Sequence, residues 1–95
     1  EKLITLEHPG VFLKEEFMDP LNVTAYRLAK ETRVSAMTIS EILRGKRGIS
    51  PKVGLKLSKF FGMSEGYFVR LQIQYDIDRI KESDGEELKK IHAIA

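Results

Sequence analysis

Apolar residues in the middle of the chain recur three and four positions apart, the spacing of one face of a helix. The clearest case is a predicted helix that follows Ser35 and buries Ile39, Ile42 and Leu43. Ser35 can cap its first turn, and Gly45 can end it in a left-handed conformation. The outward face of this helix then carries Ala36, Met37, Ser40, Glu41 and Arg44.

The residues before this helix predict two others. Residues 11–18 form a first helix, which ends before Pro20 because proline disfavours helical geometry in the residue that precedes it. A second helix follows Thr24, which can cap it, and buries Leu28 and Ala29. The second and third helices are separated by a tight turn. They predict a helix-turn-helix over residues 24–44, a motif that lays its second helix in the DNA major groove.

Arg33 occupies the turn of this motif, where glycine is usual. The turn requires a positive φ, which glycine adopts readily and which costs other residues on the order of 1 kcal/mol. We therefore expect a strained backbone at Arg33, with its cation near the DNA phosphates.

Two longer helices are expected after the motif. Ser50 can cap a fourth helix that has Pro51 in its first turn, and Gly62 can end it. Ser64 is then expected to cap the fifth helix.

The end of the chain is strongly charged. A turn is expected at residues 84–85, followed by a short final helix over residues 86–94, and this tail is either a docking element or a frayed end. The sequence thus predicts one all-α domain of five to six helices over residues 1–95, with a dimerisation helix and tail over residues 64–95.

Charge is distributed unevenly along the 95 residues, although the net charge is only +2. Residues 24–59 hold nine basic and two acidic residues, a net of +7, whereas residues 1–23 and 60–95 carry −3 and −2. The positive charge therefore coincides with the predicted helix-turn-helix and the helix after it. This is the electrostatic pattern expected of a DNA-binding face.

Several short stretches resemble a known family. They include HPG at residues 8–10, RGKRGI at residues 44–49 and FGMS at residues 61–64, although the family usually has tryptophan near residues 67–68. On these motifs the chain resembles the HigA (also called VapI) antitoxins, a branch of the cro/repressor-like helix-turn-helix proteins. The resemblance implies a lambda-repressor-like fold. It also implies a dimeric antitoxin that binds a palindromic operator, represses its own operon and binds a HigB toxin, an mRNA-cleaving enzyme of the RelE-like fold.

The exposed start of the third helix is expected to approach base edges. It holds no Arg that could bind guanine and no Asn or Gln that could bind adenine, so we expect modest discrimination that depends on apolar contacts, water and DNA shape. Glu41, one turn on, could accept from a cytosine amino group. The predicted base contacts are Ser35, Ala36, Met37, Thr38 and Glu41.

Affinity is then expected to come mainly from the phosphates. Helix N-termini and a basic loop after the third helix supply the donors. The predicted phosphate contacts are Thr24, Tyr26, Arg27, Arg33, Arg44, Lys46, Arg47 and Lys52.

The fifth helix has two apolar stripes. Phe68, Leu71 and Tyr75 share one stripe, which the chain can bury in its own core. The other stripe needs a partner, unless the helix is buried on all sides within one molecule. A second copy of the chain is the expected partner, since helix-turn-helix dimers bind paired half-sites. The predicted dimer interface is Val69, Ile73, Ile77 and Ile80.

Other functions are disfavoured by composition. The chain has no cysteine, His8 and His92 lack companions for a metal site, and no carboxylate pair lies beside a nucleophile. No glycine-rich phosphate loop, signal peptide or long apolar run is present. We therefore expect a cytoplasmic, non-enzymatic protein without cofactor, metal or membrane partner.

Two alternatives to an autoregulating antitoxin remain at this point. The chain could be a repressor that acts without a toxin, or an interaction module that keeps the helix-turn-helix as a scaffold. The weak set of base-reading residues favours the second of these alternatives.

Overall fold

The computed structural model describes residues 7–95, a stretch built of helices without a strand. Helix α1 spans Pro9–Phe12 and continues as a π-helix over Leu13–Met18. It is followed by α2 (Ala25–Thr32), α3 (Ala36–Leu43), α4 (Pro51–Phe61) and α5 (Tyr67–Lys89). The predicted all-α helix-turn-helix fold is confirmed.

The core lies where α1, the helix-turn-helix and the first turns of α5 meet. Helix α1 packs against α3 and α5, while α4 packs against α2 and α5. Each helix supplies at least one fully buried apolar side chain, and for α1 this residue lies in its π-helical continuation. These side chains are Leu13, Leu28, Ile39, Ile42, Leu57 and Phe68.

Three predicted N-caps hold the helices that frame the basic segment. The hydroxyls of Thr24, Ser35 and Ser50 accept from the backbone N–H three residues on, at 3.0, 3.0 and 3.2 Å. Each bond satisfies a donor that the first turn of a helix cannot pair internally. The predicted start of each of these helices is confirmed.

The turn of the helix-turn-helix has the predicted left-handed backbone. Arg33 has φ 61° and ψ 34°. The next residue, Val34, donates its N–H to the Ala29 carbonyl at 3.2 Å, which closes the end of α2. Lys56 reaches across from α4 and donates to the Arg33 carbonyl at 3.3 Å. The strained turn is thus held by bonds on both sides.

Glycines end α3 and α4 as predicted. Gly45 and Gly62 have φ of 75° and 70°, and the residue after each donates its N–H to a carbonyl five residues back at 2.8 Å. This is the bonding of a Schellman cap, which favours glycine at the left-handed position.

The first helix differs from the prediction of a regular helix over residues 11–18. It begins at Pro9, and from Leu13 its backbone is a π-helix in which the Asp19 N–H donates to the Lys14 carbonyl at 2.8 Å. Leu13 and Met18 are both buried. In an α-helix, two residues five positions apart, such as Leu13 and Met18, would be separated by about 140° around the helix axis. The wider π-turn brings such residues onto one face.

The start of α5 also differs, because Ser64 does not cap it. Gly66 stands at the N-cap without a side-chain bond. The Ser64 hydroxyl instead accepts from the Arg70 guanidinium at 2.9 Å, and its carbonyl accepts from the Tyr67 N–H at 3.1 Å. A turn over residues 64–67 therefore precedes the helix.

The prediction of a separate final helix over residues 86–94 is wrong. Helix α5 runs on through Gly85 with a kink at Asp84, where φ is −114° and ψ is 20°, and it ends at Lys89. The residues after Lys90 are exposed and not helical. Without apolar contacts, a short separate helix has little to stabilise it.

The strain at Arg33 predicts a stabilising substitution. Arg33→Gly removes the Cβ that disfavours positive φ, so we expect the free energy of unfolding to rise by about 0.5–1 kcal/mol after the entropy of glycine is deducted. The melting temperature, followed by circular dichroism, should rise by roughly 2–8 °C. Lys30→Gly, on the same helix in ordinary helical geometry, is the control and should destabilise by about 1 kcal/mol. Equal destabilisation by both variants would contradict the strain.

Candidate nucleic-acid interface

The first turn of α3 exposes the predicted base-contacting residues. Ala36 is exposed, and Met37 retains 68% of its surface accessible. The Ser35 hydroxyl donates to Thr38 Oγ1 at 2.8 Å while it accepts from the Thr38 N–H. The cap therefore positions both hydroxyl oxygens, and the Thr38 hydroxyl retains its hydrogen as a donor for a further acceptor.

Glu41 lies on the same face of α3, and it is paired. Its Oε1 accepts from Arg47 Nε at 2.8 Å and from Arg47 Nη2 at 2.7 Å. The Arg47 side chain is 50% exposed and that of Glu41 28%. This pair could not be predicted from the sequence, because six residues and the Gly45 reversal separate the partners. Two predicted DNA contacts, one for a base and one for a phosphate, are thus joined.

The other predicted phosphate donors differ in their surroundings. Tyr26, Lys46 and Lys52 are exposed. Thr24 accepts a backbone N–H and retains its hydroxyl hydrogen as a donor. Arg27 differs, since its guanidinium carbon lies 5.9 Å from the centre of the Phe60 ring on α4.

Two remaining arginines lie at the ends of the motif's helices. Arg44 Nε donates to the Ser40 carbonyl at 3.3 Å, so this side chain lies back along α3. Arg33 is exposed at the turn. The roles of these residues at a phosphate stay predictions.

His8 holds one side of the loop over residues 44–49. Its Nδ1 accepts from the Gly10 N–H at 2.9 Å and caps α1. Its ring packs edge-on against Tyr75 of α5, with centroids 5.2 Å apart, and Gly45 lies over the ring. His8 therefore caps α1, and the same ring supports the loop.

Gln72 of α5 holds the other side of the loop. Its Oε1 accepts from the Ile49 N–H at 2.8 Å, and its Nε2 donates to Asp76 at 2.9 Å. Gly48 faces this amide so closely that a Cβ there would lie 3.0 Å from it. The basic loop is therefore fixed to α5. Helical periodicity does not single out Gln72, since one polar residue between two apolar stripes gives no distinctive pattern.

The helix-turn-helix family matches residues 13–68. Virulence-associated protein I of Dichelobacter nodosus is 36% identical over 84 residues, which cover 88% of this chain and 77% of that protein. The chain belongs to the HigA/VapI branch of the cro/repressor-like helix-turn-helix family.

Solved structures of the HigA type share the whole fold. The structure of Pseudomonas aeruginosa antitoxin HigA with the higBA promoter superposes with a TM-score of 0.86 at 28% identity, covering 96% of this chain and 100% of that one. An addiction module antidote protein of the HigA family from Coxiella burnetii gives 0.86 at 30% identity, covering 97% and 100%. The HigA/VapI family consists of DNA-binding antitoxins and regulators rather than enzymes.

Helix α5 of this HigA/VapI chain exposes the second apolar stripe. Ile73, Ile77 and Ile80 are 51%, 43% and 49% exposed, whereas Phe68 in the first stripe is fully buried. Val69 is partly covered and faces Gly54 of α4. One molecule therefore does not bury this helix on all sides, which excludes that alternative.

Two further observations concern metal binding and membrane crossing. Between residues 7 and 95 no three His, Asp or Glu side chains are grouped closely enough for a metal ion. None of the helices in that range combines the length and hydrophobicity that crossing a bilayer requires.

His8 gives the loop a pH-sensitive support. Burial lowers the pKa of His8 below its usual value, Asp76 raises it, Arg79 lowers it, and a hydrogen bond with the Arg47 backbone raises it. The net effect is a lowered pKa. Protonation would also remove the lone pair that accepts from Gly10.

Acid should therefore weaken the fold through His8. Because the folded pKa is the lower one, the neutral ring stabilises the protein fully above the unfolded value. That contribution is lost as the pH falls below about 6.5 towards the folded pKa. We expect His8→Asn, which can still cap α1, to lose less stability than the wild type between about pH 7.5 and 5.5 in urea unfolding. His92→Asn, in the exposed tail, should keep the wild-type profile. Identical profiles for all three proteins would contradict this role of His8.

Proposed function

We propose that the protein is the antitoxin of a type II toxin–antitoxin system. It is a cytoplasmic dimer that represses its own operon and neutralises a HigB/RelE-like mRNA-cleaving toxin. The observation that carries the proposal is an exposed recognition helix with a fixed basic loop, in a chain that belongs to the HigA/VapI family. The solved P. aeruginosa relative with its promoter supports a DNA partner for this fold.

DNA binding would place the start of α3 against base edges and the flanking basic residues against phosphates. The exposed Ala36 and Met37 suit the methyl group of thymine, and the oriented hydroxyls of Ser35 and Thr38 suit a donor or acceptor. The net charge of +7 over residues 24–59 supplies attraction to the backbone. Specificity then comes from a small set of contacts, while most of the affinity is electrostatic.

Dimerisation would cover the exposed stripe of α5. A dimer of such motifs presents two recognition helices to half-sites about 34 Å apart, which matches a palindromic operator. Dimerisation also explains why these large apolar side chains remain at the surface of α5. Val69, Ile73, Ile77 and Ile80 are the proposed contacts.

A toxin partner is proposed from family membership. The names of the HigA-type relatives describe antitoxins and an antidote protein. The strongly charged end of α5 and the exposed residues 90–95 lie outside the proposed DNA contacts and form the proposed docking element for a toxin.

A mobility shift with the DNA upstream of the protein's own gene tests the first half of this proposal. We expect a specific complex that survives excess scrambled DNA, and loss of binding in the double variant Arg44→Ala, Lys46→Ala. The matched control is Lys89→Ala, Lys90→Ala, which removes two charges from the end of α5. Failure of the wild type to shift this DNA even at low salt would refute the proposal of a repressor.

Co-expression with the product of the neighbouring gene tests the second half. A HigB-type toxin should co-purify with the chain, and its cleavage of mRNA should stop when the chain is added. If the product of the neighbouring gene does not bind this chain and does not cleave RNA, while the mobility shift is positive, the protein is a repressor without a toxin.

A charge placed in the stripe should separate the dimer. Ile77→Lys puts a cation at its centre, and we expect a monomer at micromolar concentration by sedimentation equilibrium, with helicity retained because the site is half-exposed. Leu21→Lys, at an exposed leucine outside α5, is the control and should leave the dimer intact. A wild-type monomer, or a dimer in both variants, would refute the stripe as the interface.

A further inference from the structure

We propose that Arg47, held by Glu41, binds a guanine of the operator in the major groove. The inference rests on the proposed DNA-binding function and names a base contact within it. It assigns Arg47 to base readout and makes Glu41 a positioning residue for that side chain.

The contact between the two side chains fixes the orientation of the guanidinium. Arg47 donates from Nε and Nη2 to one carboxylate oxygen, at 2.8 and 2.7 Å. A guanidinium is planar, so a partner on its Nε/Nη2 edge sets the direction of its other edge. The end-on edge formed by Nη1 and Nη2 therefore points away from Glu41.

That end-on edge matches the chemistry of guanine. Guanine presents two acceptors, O6 and N7, side by side in the major groove, and a bidentate arginine is the commonest specific contact with them. The Arg47 side chain is half-exposed, so this edge can be reached.

The position on α3 brings the guanidinium to the recognition face. Glu41 follows Met37 by four residues, and residues four apart lie on one face of a helix. The pairing thus carries Arg47 from the loop to the face that holds the exposed Met37. It supplies the arginine that the start of α3 lacks.

The backbone of Arg47 is held as well as its side chain. Two residues before Arg47, Gly45 lies against the His8 ring, and two residues after it the Ile49 N–H is bound by Gln72 at 2.8 Å. Little conformational entropy then remains to be lost when the guanidinium meets a base. A phosphate contact needs no such orientation, and the Glu41 carboxylate would weaken it by cancelling the charge.

The test measures binding to the upstream DNA with each base pair of the shifted site substituted in turn. For the wild type we expect one symmetry-related G·C pair per half-site whose replacement weakens binding about tenfold or more. Arg47→Ala should bind that site and its substituted form alike, and so should Arg47→Lys, which keeps the charge but lacks the planar edge. Glu41→Gln should lose part of the same discrimination. Circular dichroism checks that each variant is folded.

Replacing that guanine by 7-deazaguanine removes N7 and identifies the contact. The wild type should lose affinity on this DNA, and Arg47→Ala should not. Lys46→Ala is the phosphate control, which should weaken all sequences equally and reduce the salt slope by about one unit while discrimination is kept.

Three results would overturn the assignment. If Arg47→Ala behaves like Lys46→Ala, then Arg47 contacts a phosphate. If 7-deazaguanine has no effect while Glu41→Gln changes the preferred base pair, then Glu41 binds the cytosine amino group itself. If the wild type shows no specific binding at all, the proposed repressor function fails together with this inference, an outcome distinct from the other two.

Discussion

The recognition surface depends on how closely the first helix approaches the end of α3. A Cβ on Gly10 would collide with the Ile42 carbonyl, so the contact requires glycine at this position. This contact places the His8 ring under Gly45, and from there the chain turns into the basic loop. Without it, the loop would have no support on the side of α1.

The same loop is bound to α5 through Gln72, and α5 also carries the exposed apolar stripe. The proposed DNA contacts and the proposed dimer contacts are thus attached to one helix. In the proposed dimer, such an arrangement would fix the distance between the two recognition helices, which a pair of half-sites demands. The modest discrimination expected of each copy would then be combined over two half-sites.

Local signals in the sequence were sufficient for the helix-turn-helix. The caps at Thr24, Ser35 and Ser50 and the left-handed Arg33 depend on residues only a few positions apart, and all were predicted correctly. The errors had more than one cause. The Ser64 hydroxyl accepts from Arg70 instead of capping α5, and the residues after Lys90 lack the apolar contacts that a separate final helix needs.

The candidate site likewise combines features that could be predicted from the sequence with contacts that could not. Exposure of the start of α3 could be predicted from helical periodicity. The pair of Glu41 with Arg47 and the bond from Ile49 to Gln72 could not, because a chain reversal and 23 residues respectively bring these partners together.

The most direct test of the account is the operator dissociation constant of Gln72→Ala. If the fixed basic loop is what makes the recognition helix effective, this variant should bind the upstream DNA about tenfold or more weakly, a loss of about 1.4 kcal/mol, while its helicity and melting temperature stay near those of the wild type. An unchanged dissociation constant in a folded variant would contradict the claim that α5 positions the loop for DNA.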